Sequence, residues 1–265
     1  MSVIDMHVHI YPDKIARKAT QSVGAFYNLE MSEDAGSVGQ LCEVTEHTPI
    51  ERCVVCSVAV HDRNVRPIND FIGASCAADS RFVGFAAMHQ DLTNVEEELD
   101  HAQELGLVGV KIHPDTQRVN MDDERLMAIY ELCERRGLAL LMHCGDYRYD
   151  YSHPRRLKRV LHEFPQLRIC AAHFGGWSIY DLALEYLEDE TCLLDMSSSM
   201  RLLGLRRTRE LVEIYGSERM MFGSDFPMWN PGEELQDFTS LGFSAADYER
   251  ICWKNAECWL ARDLA

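Results

Sequence analysis

The chain has 265 residues, of which 26 are basic and 43 acidic, for a formal net charge of −17. Gripping phosphate backbones or anionic membranes is therefore not its main business. At 46% hydrophobic and 26% charged, with 16 Gly and 8 Pro, the composition is that of an ordinary globular chain with a large core, which excludes disordered and fibrous classes.

Met1-Ser2-Val3-Ile4-Asp5-Met6-His7 has no basic leader followed by an apolar stretch. No segment approaches the roughly 20 apolar residues of a membrane span, so the expected location is cytoplasmic. Ten cysteines are present, but a core this large needs no disulfide staples. Cys53 and Cys56 form a C-x-x-C inside the apolar run Cys53–Val60, which reads as a buried strand carrying reduced core thiols.

Short apolar runs rich in β-branched residues alternate with stretches of helical periodicity, the pattern of βα units around a parallel sheet. The predicted strands, in chain order, are Val3–His9, Arg52–Val60, Phe82–His89, Leu107–His113, Ala139–Gly145, Arg168–Phe174, Thr191–Ser198 and Arg219–Asp225. The predicted helices are Asn69–Asp79, Val95–Leu105, Asp122–Arg136, His153–Phe164, Ile179–Leu187, Arg201–Tyr215 and Ser244–Leu260. Asp122-Asp123-Glu124 at the start of one helix and Arg135-Arg136-Gly137 at its end fit the helix dipole and a Gly stop, and Ser244-Ala245-Ala246-Asp247 resembles a capping box. Eight strands with intervening helices in one chain of this length fit an α/β fold of the closed (β/α)8, TIM-like type, a single barrel domain over residues 1–265.

Several strands run apolar and then end on a metal-ligand type: Val108–His113, Leu140–His143, Ile169–His173 and Met221–Asp225. In a barrel the C-terminal strand ends form one rim, where active sites are built, so residues scattered along the chain converge there. His7, His9, His89, His113, His143 and His173 all sit at or near such ends. The alternation along the first strand points His7 and His9 the same way. With His143 and Asp225 they offer three neutral nitrogens and one carboxylate, a set suited to Zn2+ and tolerable to Mn2+, Fe2+ or Co2+.

Asp5-Met6-His7-Val8-His9, Met142-His143-Cys144-Gly145, Ala172-His173-Phe174-Gly175-Gly176 and Phe222-Gly223-Ser224-Asp225-Phe226-Pro227 together resemble the amidohydrolase superfamily. The likeness is to its amidohydrolase-related branch, which contains aminocarboxymuconate-semialdehyde decarboxylase, resorcylate decarboxylases and lactone hydrolases. It runs from Asp5 to Asn255-Ala256. It implies a distorted barrel with one divalent metal, Zn2+ or alternatively Mn2+, held by His7, His9, His143 and Asp225. His173 becomes a catalytic or water-orienting histidine, and Asp225 both ligand and proton carrier. A dimer is an expectation from the same likeness.

Lys111 and His113, two apart on the fourth strand, face one side. In binuclear members of the superfamily a lysine on that strand is carboxylated and bridges two metals, in which case His143 and His173 would hold the second ion. The preferred reading keeps Lys111 as a cation facing the substrate and His113 as a rim group. Asp146-Tyr147-Arg148-Tyr149-Asp150-Tyr151 follows the fifth strand, so Arg148 and Tyr149 are candidate contacts for an anionic or hydroxylated substrate. Ser197-Ser198-Ser199 offers hydroxyls or simply a turn, and Trp177 packs over the site or over its neighbouring helix. Residues 10–49 are a lid or interface insertion. Trp253 and Trp259 read as core or interface residues.

These features favour a metal-dependent hydrolase of a small cyclic or carbonyl substrate, with a non-oxidative decarboxylase on the same site as the alternative. A silent barrel acting as scaffold, or a metal-free lactonase, are the remaining rivals. The expected partner is a small-molecule substrate, without nucleic acid or membrane.

Overall fold

A computed structural model describes residues 2–261. The eight strands are β1 (Val3–His9), β2 (Ile50–Cys56), β3 (Phe82–Ala87), β4 (Gly109–Ile112), β5 (Ala139–Met142), β6 (Ile169–Ala171), β7 (Leu193–Asp195) and β8 (Met220–Met221). They pair in parallel in sequence order. The ring closes where Met6 N donates to Phe222 O at 2.9 Å, Asp225 N to His7 O at 2.8 Å and His9 N to Phe226 O at 2.7 Å. All eight expected strands are present, and most stop earlier than the apolar runs suggest. The residues past each last ladder bond, His113, His143 and His173 among them, bend away to form the rim.

Save at the start of β2, where Glu51 and Arg52 are exposed, both faces of the strands are covered, which is why the runs are continuously apolar rather than alternating. Ile4, Met6, Phe85, Leu141, Cys170 and Met221 fill the barrel interior, with Trp259 of the last helix packed against them. Val3, Val8, Val55, Val110, Leu140 and Leu194 face the surrounding helices. The parity along β1 is informative. Ile4 and Met6 point inward and Val8 outward, so a regular strand would turn His7 and His9 the same way as Asp5, opposite to Met6. The register shift between Asp5 and Val8 breaks that parity and re-aims both imidazoles into the mouth.

The expected helices are present as Val65–Ala78, Val95–Glu104, Glu124–Arg135, Pro154–Glu163, Tyr180–Leu187 and Met200–Tyr215. The last one, Ala245–Leu260, is interrupted by a π turn at Arg250–Lys254. Its capping box is formed: Ser244 Oγ accepts from Asp247 N at 3.2 Å and donates to Asp247 Oδ2 at 2.7 Å. Further helices are present that the sequence reading did not place, among them a short turn of helix at Pro114–Gln117. Residues 10–49 fold largely into α1 (Asp13–Tyr27) and α2 (Val38–Thr45). Pro231–Thr239 follows β8, and its Asn230 cap and Pro at the first helical position are ordinary start signals. All ten cysteines are free. Among the described residues no helix is long and apolar enough to cross a membrane.

Gly145 joins the fold to the site. Its φ is +82°, and a Cβ there would lie 2.4 Å from the Gly176 carbonyl carbon and the Trp177 nitrogen, where the loops after β5 and β6 meet. Gly145→Ala is expected to cost about 3 kcal/mol from left-handed strain plus overpacking, lowering Tm by roughly 6–10 °C. Thermal unfolding by circular dichroism checks this, and an unchanged Tm would show that the loops yield without cost.

Candidate active site

The rim is built on backbone that ordinary residues avoid. His173, Phe174, Ser198 and Asp225 have φ of 59°, 54°, 51° and 62°, left-handed values for non-glycine residues, clustered just beyond β6, β7 and β8. Such strain persists only where the surrounding structure fixes it. Here it tips a histidine, a serine and an aspartate toward one point.

Three of the expected ligands meet there. His7 Nε2 lies 3.2 Å from His9 Nε2, and Asp225 Oδ1 lies 3.6 Å from the former and 3.3 Å from the latter. Metal bonds of about 2.1 Å at tetrahedral angles place neighbouring donors about 3.4 Å apart, so this triangle has the dimensions of a ligand face. His7 presents a lone pair, because its Nδ1 sits 3.0 Å from the buried Asp195 carboxylate and carries the proton. Burial and then Lys111 lower the His7 pKa to about 4, which keeps the ring neutral. Burial also disfavours charge on His9, but Cys56 and Asp225 outweigh it and hold that ring up at about 9. Burial pushes Asp225 toward its neutral form, yet His7, His9 and His173 more than reverse this and keep it ionised. Two imidazoles and a carboxylate fit a divalent ion, which would displace the His9 proton.

His143, the fourth expected ligand, stands beside a different partner. Its Nδ1 is 3.0 Å from His173 Nε2. The outer nitrogens of these two rings face acceptors: His143 Nε2 meets Gly145 O at 3.0 Å, and His173 Nδ1 meets Ser197 O at 2.9 Å, while the Ser197 hydroxyl, also 2.9 Å from His173 Nδ1, gives its hydrogen to Asp195. Assigned from these partners, both protons sit outside and two lone pairs face each other. Such a pair is repulsive unless a proton or cation lies between them. Burial, reinforced by His143, lowers His173 to about 3. His143 also belongs to a second group, with Asp115 Oδ2 at 3.4 Å from its Nε2 and His113 stacked on it at 3.8 Å between centroids.

Lys111 is buried, and its Nζ approaches His7 Nε2 at 2.8 Å, so it is an inward cation rather than a solvated one. His113 is a rim group whose Nε2 takes part in a 2.8 Å hydrogen bond with the Tyr27 hydroxyl at the end of α1. Tyr27 also packs edge-on against Trp177 at 4.8 Å, which brings the 10–49 segment over the mouth. Arg148 is largely engaged. It pairs with Asp146 through Nε and Nη2, donates through Nη1 to the Phe26 carbonyl and lies over the Phe26, Tyr27 and Tyr149 rings. Tyr149 stacks on Phe26 at 5.9 Å and is partly exposed. His89 stands apart, accepting from Asp91 N in its own turn.

Two functional-looking residues were not singled out in the sequence. Asp195, ending β7, accepts from His7, from the Ser197 hydroxyl and from the His173 backbone N–H, thereby setting the His7 tautomer. Asp115 accepts from the Ser152 hydroxyl at 2.5 Å and flanks His143. The signal for Asp195 was available, since Leu193-Leu194-Asp195 is another apolar run closing on a carboxylate.

The sequence aligns at 30% identity over 115 residues with 2-amino-3-carboxymuconate-6-semialdehyde decarboxylase of Dictyostelium discoideum, covering 41% of this chain and 32% of that protein. The chain thus matches about a third of that relative's length. Among solved structures, an uncharacterised TIM-barrel protein from Bordetella bronchiseptica superposes with TM-score 0.76 at 21% identity, covering 98% of both chains. A dihydroxybenzoic acid decarboxylase from Polaromonas, with bound manganese and 2-nitroresorcinol, gives 0.74 at 18%, covering 98% of this chain and 96% of that one. A protein from Pseudomonas putida assigned as a 2-pyrone-4,6-dicarboxylic acid hydrolase gives 0.70 at 17%, covering 100% and 99%. At these identities the superpositions show the shared barrel. The amidohydrolase pattern itself matches residues 4–261, nearly the whole chain, and this protein belongs to the amidohydrolase family.

Proposed function

We propose that the chain is a metal-dependent hydrolase that opens a small lactone, amide or ester by attack of water. The observation that carries this reading is the His7–His9–Asp225 triangle, with donor separations of 3.2 to 3.6 Å, facing a buried lysine. His7, His9 and Asp225 would hold the ion, with Zn2+ favoured and Mn2+ the other option, and His143 would join them or form a second position with His173. When bound, such an ion polarises a carbonyl oxygen and makes water more acidic.

The chain's own groups supply the rest. Asp225, kept ionised by the surrounding imidazoles, accepts a proton from the attacking water on Oδ1 and returns it to the leaving group. Asp195 holds His7 in the Nδ1–H form, so its other nitrogen stays a donor pair. His173, whose outer nitrogen is engaged by the Ser197 carbonyl, keeps its inner lone pair and is placed to accept a hydrogen bond from the attacking water and orient it. The Lys111 ammonium stabilises the same charge. Tyr27, Phe26 and Trp177 cover the rim, and we read residues 10–49 as the lid that excludes bulk water, fastened by Arg148.

The decarboxylase reading rests on the Dictyostelium relative and on Lys111, an inward cation placed to receive a substrate carboxylate. Products separate the two. Neutral lactones or esters yield a carboxylic acid and release one proton per turnover, whereas carboxylated aromatics yield CO2. Acid release from lactones, with no CO2 from any carboxylated substrate tried, supports the hydrolase; the reverse pattern overturns it.

Elemental analysis of untagged protein is expected to give one equivalent of divalent metal per chain. Two equivalents would assign the second to His143 and His173 and make Lys111 a carboxylated bridge; none, in folded protein that cannot be reloaded, would sink the metal mechanism. Asp225→Asn is expected to fold normally while its turnover falls by at least about 10³-fold, the upper range for loss of a general acid–base group. Near wild-type activity in that variant would remove Asp225 from both roles.

A further inference from the structure

Asp225 has two carboxylate oxygens in different surroundings. Oδ1 faces His7 and His9. Oδ2 accepts a 2.5 Å hydrogen bond from the Ser198 hydroxyl. That hydroxyl has one hydrogen, and the direction in which it is given is fixed from behind: the Trp229 indole N–H donates to Ser198 Oγ at 2.8 Å. The hydroxyl therefore accepts from the indole and donates to the carboxylate, a far better acceptor than the Met228 thioether 3.2 Å away. The indole is itself pinned, with the Arg201 guanidinium 5.3 Å above its ring. Arg201 is in turn held by Glu233 at 2.7 Å and Glu234 at 3.0 Å. Ser198 and Asp225 are both buried and both adopt left-handed backbone, so two unfavourable conformations meet in one short hydrogen bond. The neighbouring serines serve other partners, Ser197 the His7–Asp195–His173 group and Ser199 the Ser197 carbonyl.

We propose that Ser198, oriented by Trp229, is a positioning residue for Asp225: it fixes the carboxylate with Oδ1 toward the His7–His9 donors and withholds Oδ2 from proton transfer. The inference rests on reading Asp225 as metal ligand and proton carrier, and it assigns a task to one serine of the Ser197–Ser199 run. With Oδ2 tied, the carboxylate does not rotate between its two oxygens, so the same oxygen, Oδ1, would face a bound ion and the attacking water throughout. Hydrogen-bond partners of this kind, one step removed from the metal, typically change metal affinity by about 10–100-fold.

Ser198→Gly removes the hydroxyl while accepting the positive φ, and Trp229→Phe removes only the N–H donor. For each, Zn2+ affinity is measured by competition with a chromophoric chelator, together with kcat, KM and Tm. The expected result is at least about a tenfold loss of Zn2+ affinity in Ser198→Gly, with a smaller loss in the same direction in Trp229→Phe. Activity loss should appear in kcat with KM little changed, and Tm should be equal or higher. A purely structural serine would lower Tm and leave Zn2+ affinity alone. Affinity within twofold of wild type in both variants, while Asp225→Ala loses it, overturns the proposal and spares the function. Wild-type affinity in Asp225→Ala would instead overturn the ligand reading and the proposal with it. Should Ser198→Gly not fold, the Trp229→Phe affinity alone decides.

Discussion

The carboxylate of Asp5 ties the first strand to the last, and the geometry of the whole site follows from it. Its Oδ1 accepts from the backbone N–H of His7 on its own strand and from that of Ser224 after β8. The first bond stabilises the irregular stretch that turns His7 and His9 into the barrel mouth, and the second brings the Ser224-Asp225 corner against them. Burial, only partly offset by these hydrogen bonds, pushes the Asp5 pKa up to about 7. That cost is accepted where two strands and three donor residues must be held in register. A regular β1 with the same sequence would pack its histidines against the helices, and no rim triangle would exist.

The same logic recurs around the rim. Imidazoles are two-sided, and a ring free to exchange its proton between nitrogens is a poor ligand and an unreliable acid or base. Three rings of the rim have their outer nitrogen engaged: His7 by Asp195, His173 by the Ser197 carbonyl, His143 by the Gly145 carbonyl. The inner nitrogens are thereby left as lone pairs pointing at one another and at Asp225. Burial supports this by keeping His7 and His173 neutral. The Asp225 carboxylate and the unprotonated inner nitrogens of His7 and His173 make a pocket that favours a cation at its centre.

The packing of α1 against the rim depends on a different force. α1 ends at Tyr27 because Asn28 takes the left-handed conformation and its N–H caps Gly24 O. That ending delivers Phe26 and Tyr27 to the mouth, where Arg148, itself paired with Asp146 in the β5 loop, holds them by a hydrogen bond to the Phe26 carbonyl and by stacking over both rings. The contact between two distant loops is mostly aromatic and cationic, a combination that holds a surface segment without the large apolar area a core requires.

The sequence by itself determined the architecture, because periodicity is a local property. Eight apolar runs bounded by turn formers call for a parallel sheet and fit a closed barrel better than an open one, and runs ending on His or Asp mark its rim; the bonds from β1 to the β8 end close the ring. It also placed His7, His9, His143, His173 and Asp225 on one rim as candidate ligands and catalysts. Tertiary structure alone decided which of them touch. A period-2 reading places His7 and His9 together but cannot see the bulge that aims them, since a bulge leaves no compositional trace. Whether His143 stands beside Asp225 or beside His173 depends on the tilt of β5 against β6 and on Gly145 meeting Gly176. Asp195, Asp115 and Ser198 act on rings and a carboxylate that lie many residues away in the chain, and the hydrogen bonds that give them meaning exist only once the strands close.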